Sequence, residues 1–324
     1  MPFNSMIDRA GVEALIPEDV SAEIIQGIPE TSAVMRLARR LPNMSSKQRR
    51  MPVLSGLISA YWVQGDNGLK QTTQASWANK YVNANELAVI VPIPEAVLDD
   101  NDYDVWAEIK PRIVEAFGNK FDEAVMFAVS DAPSDWPSPL ITGATSASNV
   151  VTANQGTRDL YDDILGEGGL VAKVEEDGFY VNGYVASLSM RSKLRGLRAP
   201  IWNGTTLVRS GEPIFKTNMT DATRYQLDGQ PIEFPRGGFF NAASALMFAG
   251  DWDQLVYSIR QDITYKILTE ATIHDSAGNV IVNLAQQDMV ALRAVMRLGW
   301  QLPNPINQIR SVEADRYPFS VLLP

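Results

Sequence analysis

Asp100, Asp102 and Asp104 are spaced like the first three oxygen ligands of a calcium loop, where alternate carboxylates converge on one hard cation. That loop also needs glycine at its sixth position and an acid at its twelfth; the chain has Val105 and Pro111 there. The pattern fails, so these acids, with Asp99, are expected to cluster ahead of a helix whose N-terminal dipole favours negative charge. Glu175, Glu176 and Asp177 could supply an acid–base pair only if two of them shared a face, and adjacent residues do not. A solvated turn is expected there. Gly166, Gly168 and Gly169 lack the preceding strand and the lysine–serine ending that make a phosphate loop. Cysteine is absent and His274 is the single histidine. Disulfides, thiolate zinc, multi-histidine metal sites and a cysteine nucleophile are thereby excluded, and a serine triad is left one candidate base. That base lies in ATIHDSAGN, a predicted turn between strands where solvation is expected. The sequence predicts no catalytic, cofactor or metal residues. Trp62, Trp77 and Trp106 belong to different predicted elements and are expected to be packing anchors rather than a base-stacking platform.

The elements around these residues belong to a chain of 324 residues, 45% hydrophobic and 20% charged, which is globular composition of about two domains. Its formal charge of −10 predicts repulsion from nucleic acid unless a basic patch intervenes. One run is such an exception: Arg36, Arg39, Arg40, Lys47, Arg49 and Arg50 occur with no acid between them. No segment approaches the ~20 apolar residues of a membrane span. The tight apolar run from Leu87 to Ile93 is interrupted by Pro92, with Pro94 just beyond, and the N-terminus does not resemble a secretory signal. A soluble protein made in a cytoplasm is expected.

Pro17-Glu18-Asp19 resembles a short helix start, and a second short helix is predicted from Glu30 to Leu41, ended by Pro42. Two long antiparallel strands follow, in MPVLSGLISAYWV and WANKYVNANELAVIVPI, joined by a polar tip containing Gly65 and Gly68. Such a hairpin has too little core of its own and must pack on something else. Trp106, Ile109, Ile113, Phe117, Phe121, Ala124 and Ala128 recur at helical steps, predicting a rod of nearly 40 Å that Pro111 could kink. A Pro- and Ser-rich loop leads into a mixed α/β unit with a buried strand at FYVNGYVAS and a basic-faced helix at SMRSKLRGLR. LVYSIRQDITYKILTEATI and VIVNL are predicted strands, and MVALRAVMRLGWQL a helix.

This order of parts resembles the major capsid proteins of tailed phages with the Hong Kong 97 fold, an α+β class. Residues 81 to 128 look like the returning strand, acidic turn and spine helix. FYVNGYVASLSMRSKLRGLR resembles the strand-then-helix of the family's central lobe, and GFFNAASALMFAGDWDQLVYSIRQDITYKILTE its entry into the long return strands. Each motif is weak alone, and their order over about 30 to 320 carries the likeness. It implies an N-terminal arm over 1–50, an extended loop over 51–93, the spine of a peripheral domain over 94–132, and an axial domain over 133–250. Return strands and a peripheral helix would fill 251–324.

The resemblance further implies a non-enzymatic shell protein without cofactors. It would partner itself, in the hexamers and pentamers of an icosahedral shell, and would pack double-stranded DNA non-specifically. Its other expected partners are a portal protein and scaffolding, maturation protease or decoration proteins. Assembly in the bacterial host cytoplasm and residence in the virion follow. The extended loop would lie over a neighbour, and the basic run would face either DNA or acids such as Asp99, Asp100, Asp102 and Asp104 of another copy. Subunit pairing is favoured, because shells of acidic copies need complementary charge to close. Some family members join a loop lysine to a neighbour's asparagine with the help of a glutamate. Lys70 matches that lysine, but the asparagine position falls near Asp288 and the acid at Val295 or Met296, so no crosslink is expected. The alternatives are an encapsulin-type compartment shell and, in another class, an acidic-site hydrolase.

Overall fold

The computed structural model describes residues 32–63, 70, 72–99, 105–155, 158–198, 201–202, 207–208, 211–212, 215–216, 225–275 and 277–324. The helix start at Pro17, the tip glycines Gly65 and Gly68, and Asp100, Asp102 and Asp104 lie outside the described residues. The chain opens with α1 (Ala33–Leu37), β1 (Arg39–Arg40), β2 (Gln48–Gly56), β3 (Ser76–Asn83), β4 (Asn85–Pro94), α2 (Glu95–Asp99) and α3 (Val105–Met126). It continues through α4 (Leu140–Ser146), β5 (Val150–Thr152), α5 (Leu160–Leu165), α6 (Leu170–Glu176), β6 (Gly183–Ala186) and α7 (Met190–Arg195). Short strands β7 (Ile201–Trp202), β8 (Leu207–Val208), β9 (Phe215–Lys216), β10 (Tyr225–Leu227), β11 (Gln230–Glu233) and β12 (Met247–Gly250) follow. The last elements are β13 (Val256–Leu268), β14 (Thr272–His274), β15 (Val280–Asn283), β16 (Met289–Gln301) and β17 (Phe319–Leu323).

Two sheets organise the molecule. One has the order β1-β13-β16-β4, antiparallel except where β1 joins β13 in parallel. The spine helix α3, 22 residues and so roughly 33 Å long, buries Ile113, Phe117, Phe121 and Ala124. Phe121 meets Trp136 edge-on and Tyr257 at a tilt, each at 6.2 Å between ring centres. The second sheet has the order β5-β17-β12-β6-β11-β10-β9. Its central strands are buried on both faces. Val185, Phe248 and Val321 join the core that contains the spine, while Ala186, Met247 and Leu322 join the core formed with α5, α6 and α7. Successive residues of one strand thus serve two cores. The C-terminal strand β17 lies inside this second sheet, paired with β12 and β5.

Four expectations are corrected. Residues 289–301 form a central strand, not a helix. Met, Ala, Leu and Arg favour helix locally, but β16 pairs with β13 on one edge and β4 on the other, and that pairing overrides propensity. The period-two signal is present: Leu292, Ala294, Met296 and Leu298 are buried, while Arg293 is exposed and Val295 and Arg297 are half-buried between them. The helix expected from Glu30 to Leu41 is confined to Ala33–Leu37 among the described residues. Beyond it the N–H groups of Arg39 and Leu41 donate to the Leu255 and Tyr257 carbonyls at 3.0 and 2.8 Å, drawing the chain onto β13. The returning hairpin strand is not continuous. It breaks at Ala84, so that β3 pairs with β2 and β4 joins the spine sheet as an edge strand. An edge is where Pro92 and Pro94, which lack an N–H, are tolerated. The spine also stops at Met126, short of Ala128.

The break is clamped. Trp136 Nε1 donates to the Asn83 carbonyl at 3.0 Å, Asn83 Nδ2 to the Asp135 carbonyl at 3.0 Å, and Asn85 Nδ2 to the Asp135 carboxylate at 2.6 Å. Gly299 of β16 passes directly beneath, where a Cβ would overlap the Asn83 carbonyl group, which is backbone and cannot swing away. Gly299→Ala is therefore expected to destabilise the unassembled chain by about 2 kcal/mol through overpacking, read as a lower urea midpoint with an unchanged slope.

Candidate assembly surfaces

Beyond Leu54 the hairpin segment exposes Ile58, Tyr61, Trp62 and Val63, and β3 exposes Trp77 opposite Leu54 and Tyr81 nearer the root. Trp62 is 100% exposed and Trp77 66%, which overturns the expectation that both are packing anchors within the chain. Trp106 does pack against the spine core. The hairpin's root is held by the loop between β16 and β17. The Ile306 N–H donates to the Leu54 carbonyl at 3.2 Å, and Lys80 pairs with Glu313 at 2.5 Å. That loop is gathered around Arg316, a buried guanidinium that donates to the carbonyls of Asn304 (2.9 Å), Pro305 (3.1 Å), Ser311 (3.1 Å) and Arg310 (3.4 Å).

The basic run does not form one patch. Arg36 pairs with Glu233 at 3.0 Å, and Arg49 donates to the Pro42 and Asn43 carbonyls at 2.6 and 3.1 Å, closing the turn before β2. Arg39, Arg40 and Arg50 are exposed, with Arg40 reaching Asn43 at 3.2 Å. Lys70 is exposed in the hairpin and Asp99 at the end of α2. The described structure brings none of these acids and bases together within one chain.

Buried carboxylates do work that sequence reading missed. Asp122, on the spine, accepts from the Ser32 hydroxyl and from the Ala33 and Val34 N–H groups at 2.7 and 3.3 Å. It thus fixes the point where the N-terminal segment meets the spine. Burial pushes its carboxyl up to about 7, against the opposing pull of those donors and of Arg36. An acid among Phe117, Phe121 and Val125 at helical spacing was the available signal. Asp177, expected to lie in a solvated turn, is likewise buried. Its carboxylate accepts from Asn149 at 2.7 Å and from the Tyr317 N–H at 2.9 Å, while Glu175 and Glu176 are exposed.

The GDWD motif has a local cause. Gly250 faces the Phe319 ring and leaves no room for a Cβ, and Asp251 caps the short turn at Trp252–Gln254 by accepting from Asp253. Trp252 is buried edge-on against Phe319, with Nε1 donating to the Gly183 carbonyl at 3.0 Å. His274 ends β14, exposed, beside a turn that Asp275 organises by accepting from the Ala277 and Asn279 N–H groups.

A spine helix on one sheet, a second sheet shared between two cores and a projecting hairpin with little core of its own together describe a part built for assembly. Comparison with known proteins agrees. The model of the phage capsid family matches residues 13–309, and the chain belongs to that family. It is 29% identical over 323 residues to the major capsid protein of Staphylococcus phage 80alpha, covering 99% of this chain and 91% of that protein. A solved structure from Microbacterium phage Oxtober96 is 32% identical with a TM-score of 0.81, covering 99% of this chain and all of that one. One from Mycobacterium phage Adephagia is 30% identical with a TM-score of 0.78, covering 99% and 98%. The role is structural: many copies build a phage capsid shell, and the protein resides in the virion.

Because the folded chain holds a proton on Asp122 up to about pH 7 and the unfolded chain releases it near 3.8, the folded state binds more protons between those values. Stability is expected to fall as pH rises through that window. Asp122→Asn should flatten this part of the profile, as checked by chemical denaturation at pH 5 and pH 7.5.

Proposed function

We propose that the chain is the major capsid protein of its phage, forming the hexamers and pentamers of an icosahedral shell around double-stranded DNA, and that it catalyses no reaction. Each hairpin finishes its packing on a neighbouring copy. The observation that carries this reading is Trp62, a full indole in solvent on the segment that extends beyond a two-stranded ribbon with little core of its own. Exposed aromatics of this kind are the usual anchors of protein interfaces.

The exposed Arg39, Arg40 and Arg50 would pair across subunits with acids that include Asp99, Asp100, Asp102 and Asp104. Arg36 and Arg49, engaged within the chain, would contribute less. Portal protein, scaffolding, protease or decoration proteins would be further partners, and assembly would take place in the host cytoplasm. Lys70 would remain free of covalent links, since neither Asp288 nor Val295 or Met296 offers the amide and acid such a bond requires.

Two outcomes check this. Purified chain should assemble into closed particles tens of nanometres across in electron micrographs, and Trp62→Ser should leave the chain folded by circular dichroism but unable to close them. Boiled particles should run on a denaturing gel as one band at the 35.7 kDa of the single chain, with no ladder above it.

A further inference from the structure

The lobe built on the seven-stranded sheet carries opposite charge at its two ends. From Leu188 to Arg198 the chain has Arg191, Lys193, Arg195 and Arg198 and no acid. Met190 and Leu194 bury one face of α7 in the lobe core, which leaves Lys193, Arg195 and Arg198 exposed. Arg191 lies over the Tyr225 ring, 4.4 Å from its centre, and bonds the Tyr225 hydroxyl, so α7 sits at the β10 end of the sheet. Beside it is a cavity of about 250 Å³ lined by Arg36, Arg191, Arg236, Tyr225 and Glu233. Glu233 is already paired with Arg36, and the shielded Arg191 Nε has no acceptor among the described residues.

At the other end, α6 packs on β17, β12 and β5 and against α5. Glu167, Glu175 and Glu176 are exposed there, and the half-buried Lys173 is the one base of α6. β17 and β10 are four strand spacings apart, roughly 20 Å. Opposite charges this far apart on one sheet cannot pair with each other. Placed at opposite ends of the lobe, they fit a heterologous contact, in which one end of a copy meets the other end of the next.

We propose that the lobe makes a head-to-tail contact between copies, in which the basic face of α7 receives Glu175 and Glu176 of the next copy, closing a ring. This rests on the shell reading above and names the surface by which neighbouring lobes recognise one another. Repetition of one heterologous contact around an axis closes a ring without a second interface. Charge complementarity fixes its register and rejects the reversed orientation. Because the partners are exposed, the contact is weakened by salt over a Debye length of about 8 Å at physiological ionic strength.

The absence of cysteine makes a direct test available. Glu176→Cys combined with Lys193→Cys, assembled and then oxidised with diamide, should give a ladder of disulfide-linked chains ending at closed rings. Each single variant should stay monomeric. Glu175→Cys with Arg195→Cys is a second pair should the first distort the lobe. If both pairs give only monomers or dimers within particles that still form, the contact is overturned while the shell reading survives; if wild-type chain forms no particles at all, that reading itself fails. In parallel, Lys193→Glu with Arg195→Glu should lower the assembled fraction about tenfold, and adding Glu175→Arg and Glu176→Arg should restore it. Normal assembly of the first variant with reduced DNA content would instead assign the basic face to nucleic acid and overturn the proposal.

Discussion

The strand β16 has a hydrogen-bonded partner on both edges, and the placement of nearly every other part follows from that. Its buried residues supply the floor under the spine helix, and its pairing with β13 makes a long antiparallel ribbon. Its pairing with β4 captures the chain returning from the hairpin. Where that chain enters β4, Gly299 lets the backbone cross within contact distance of Asn83, and Trp136 and Asp135 hold the crossing from above. The hairpin projects because one strand is committed to this sheet only as far as Asn85.

Much of this was legible in the amino-acid order. The spine's apolar stripe, the polar-tipped hairpin, the GDWD turn and the return strand β13 each carry a local signal strong enough to locate them. β16 misled because its composition and its periodicity disagree, and composition suggested helix where cross-strand pairing decided otherwise. The break at Ala84 left little trace, since β3 and β4 both alternate and only their partners differ. At the assembly surfaces, residue type foretold charge but not engagement. Arg36 and Arg49 read like Arg39 and Arg50 in the sequence, yet the first two have partners in the fold. Asp122 and Asp177 were hard to find because what defines them is the distant backbone N–H groups they accept from.

Charge is organised by position rather than by total. The chain is acidic overall, which keeps free copies apart, while ten of its 28 bases fall in two stretches without acids, 36–50 and 188–198. Carboxylates have a divided role. Those facing solvent set long-range repulsion, and the buried ones tie segments far apart in sequence, Asp122 joining residue 32 to the spine and Asp177 joining α6 to the segment before β17.

The loop gathered by Arg316 has a mechanical consequence. It touches the hairpin at Leu54 and Lys80, and it continues directly into β17, which is hydrogen-bonded on both edges within the seven-stranded sheet. A tug on the outstretched ribbon is therefore delivered along the chain to the heart of the other lobe. Arg316 grips four carbonyls at once, so the connecting piece behaves as a stiff link rather than a slack tether.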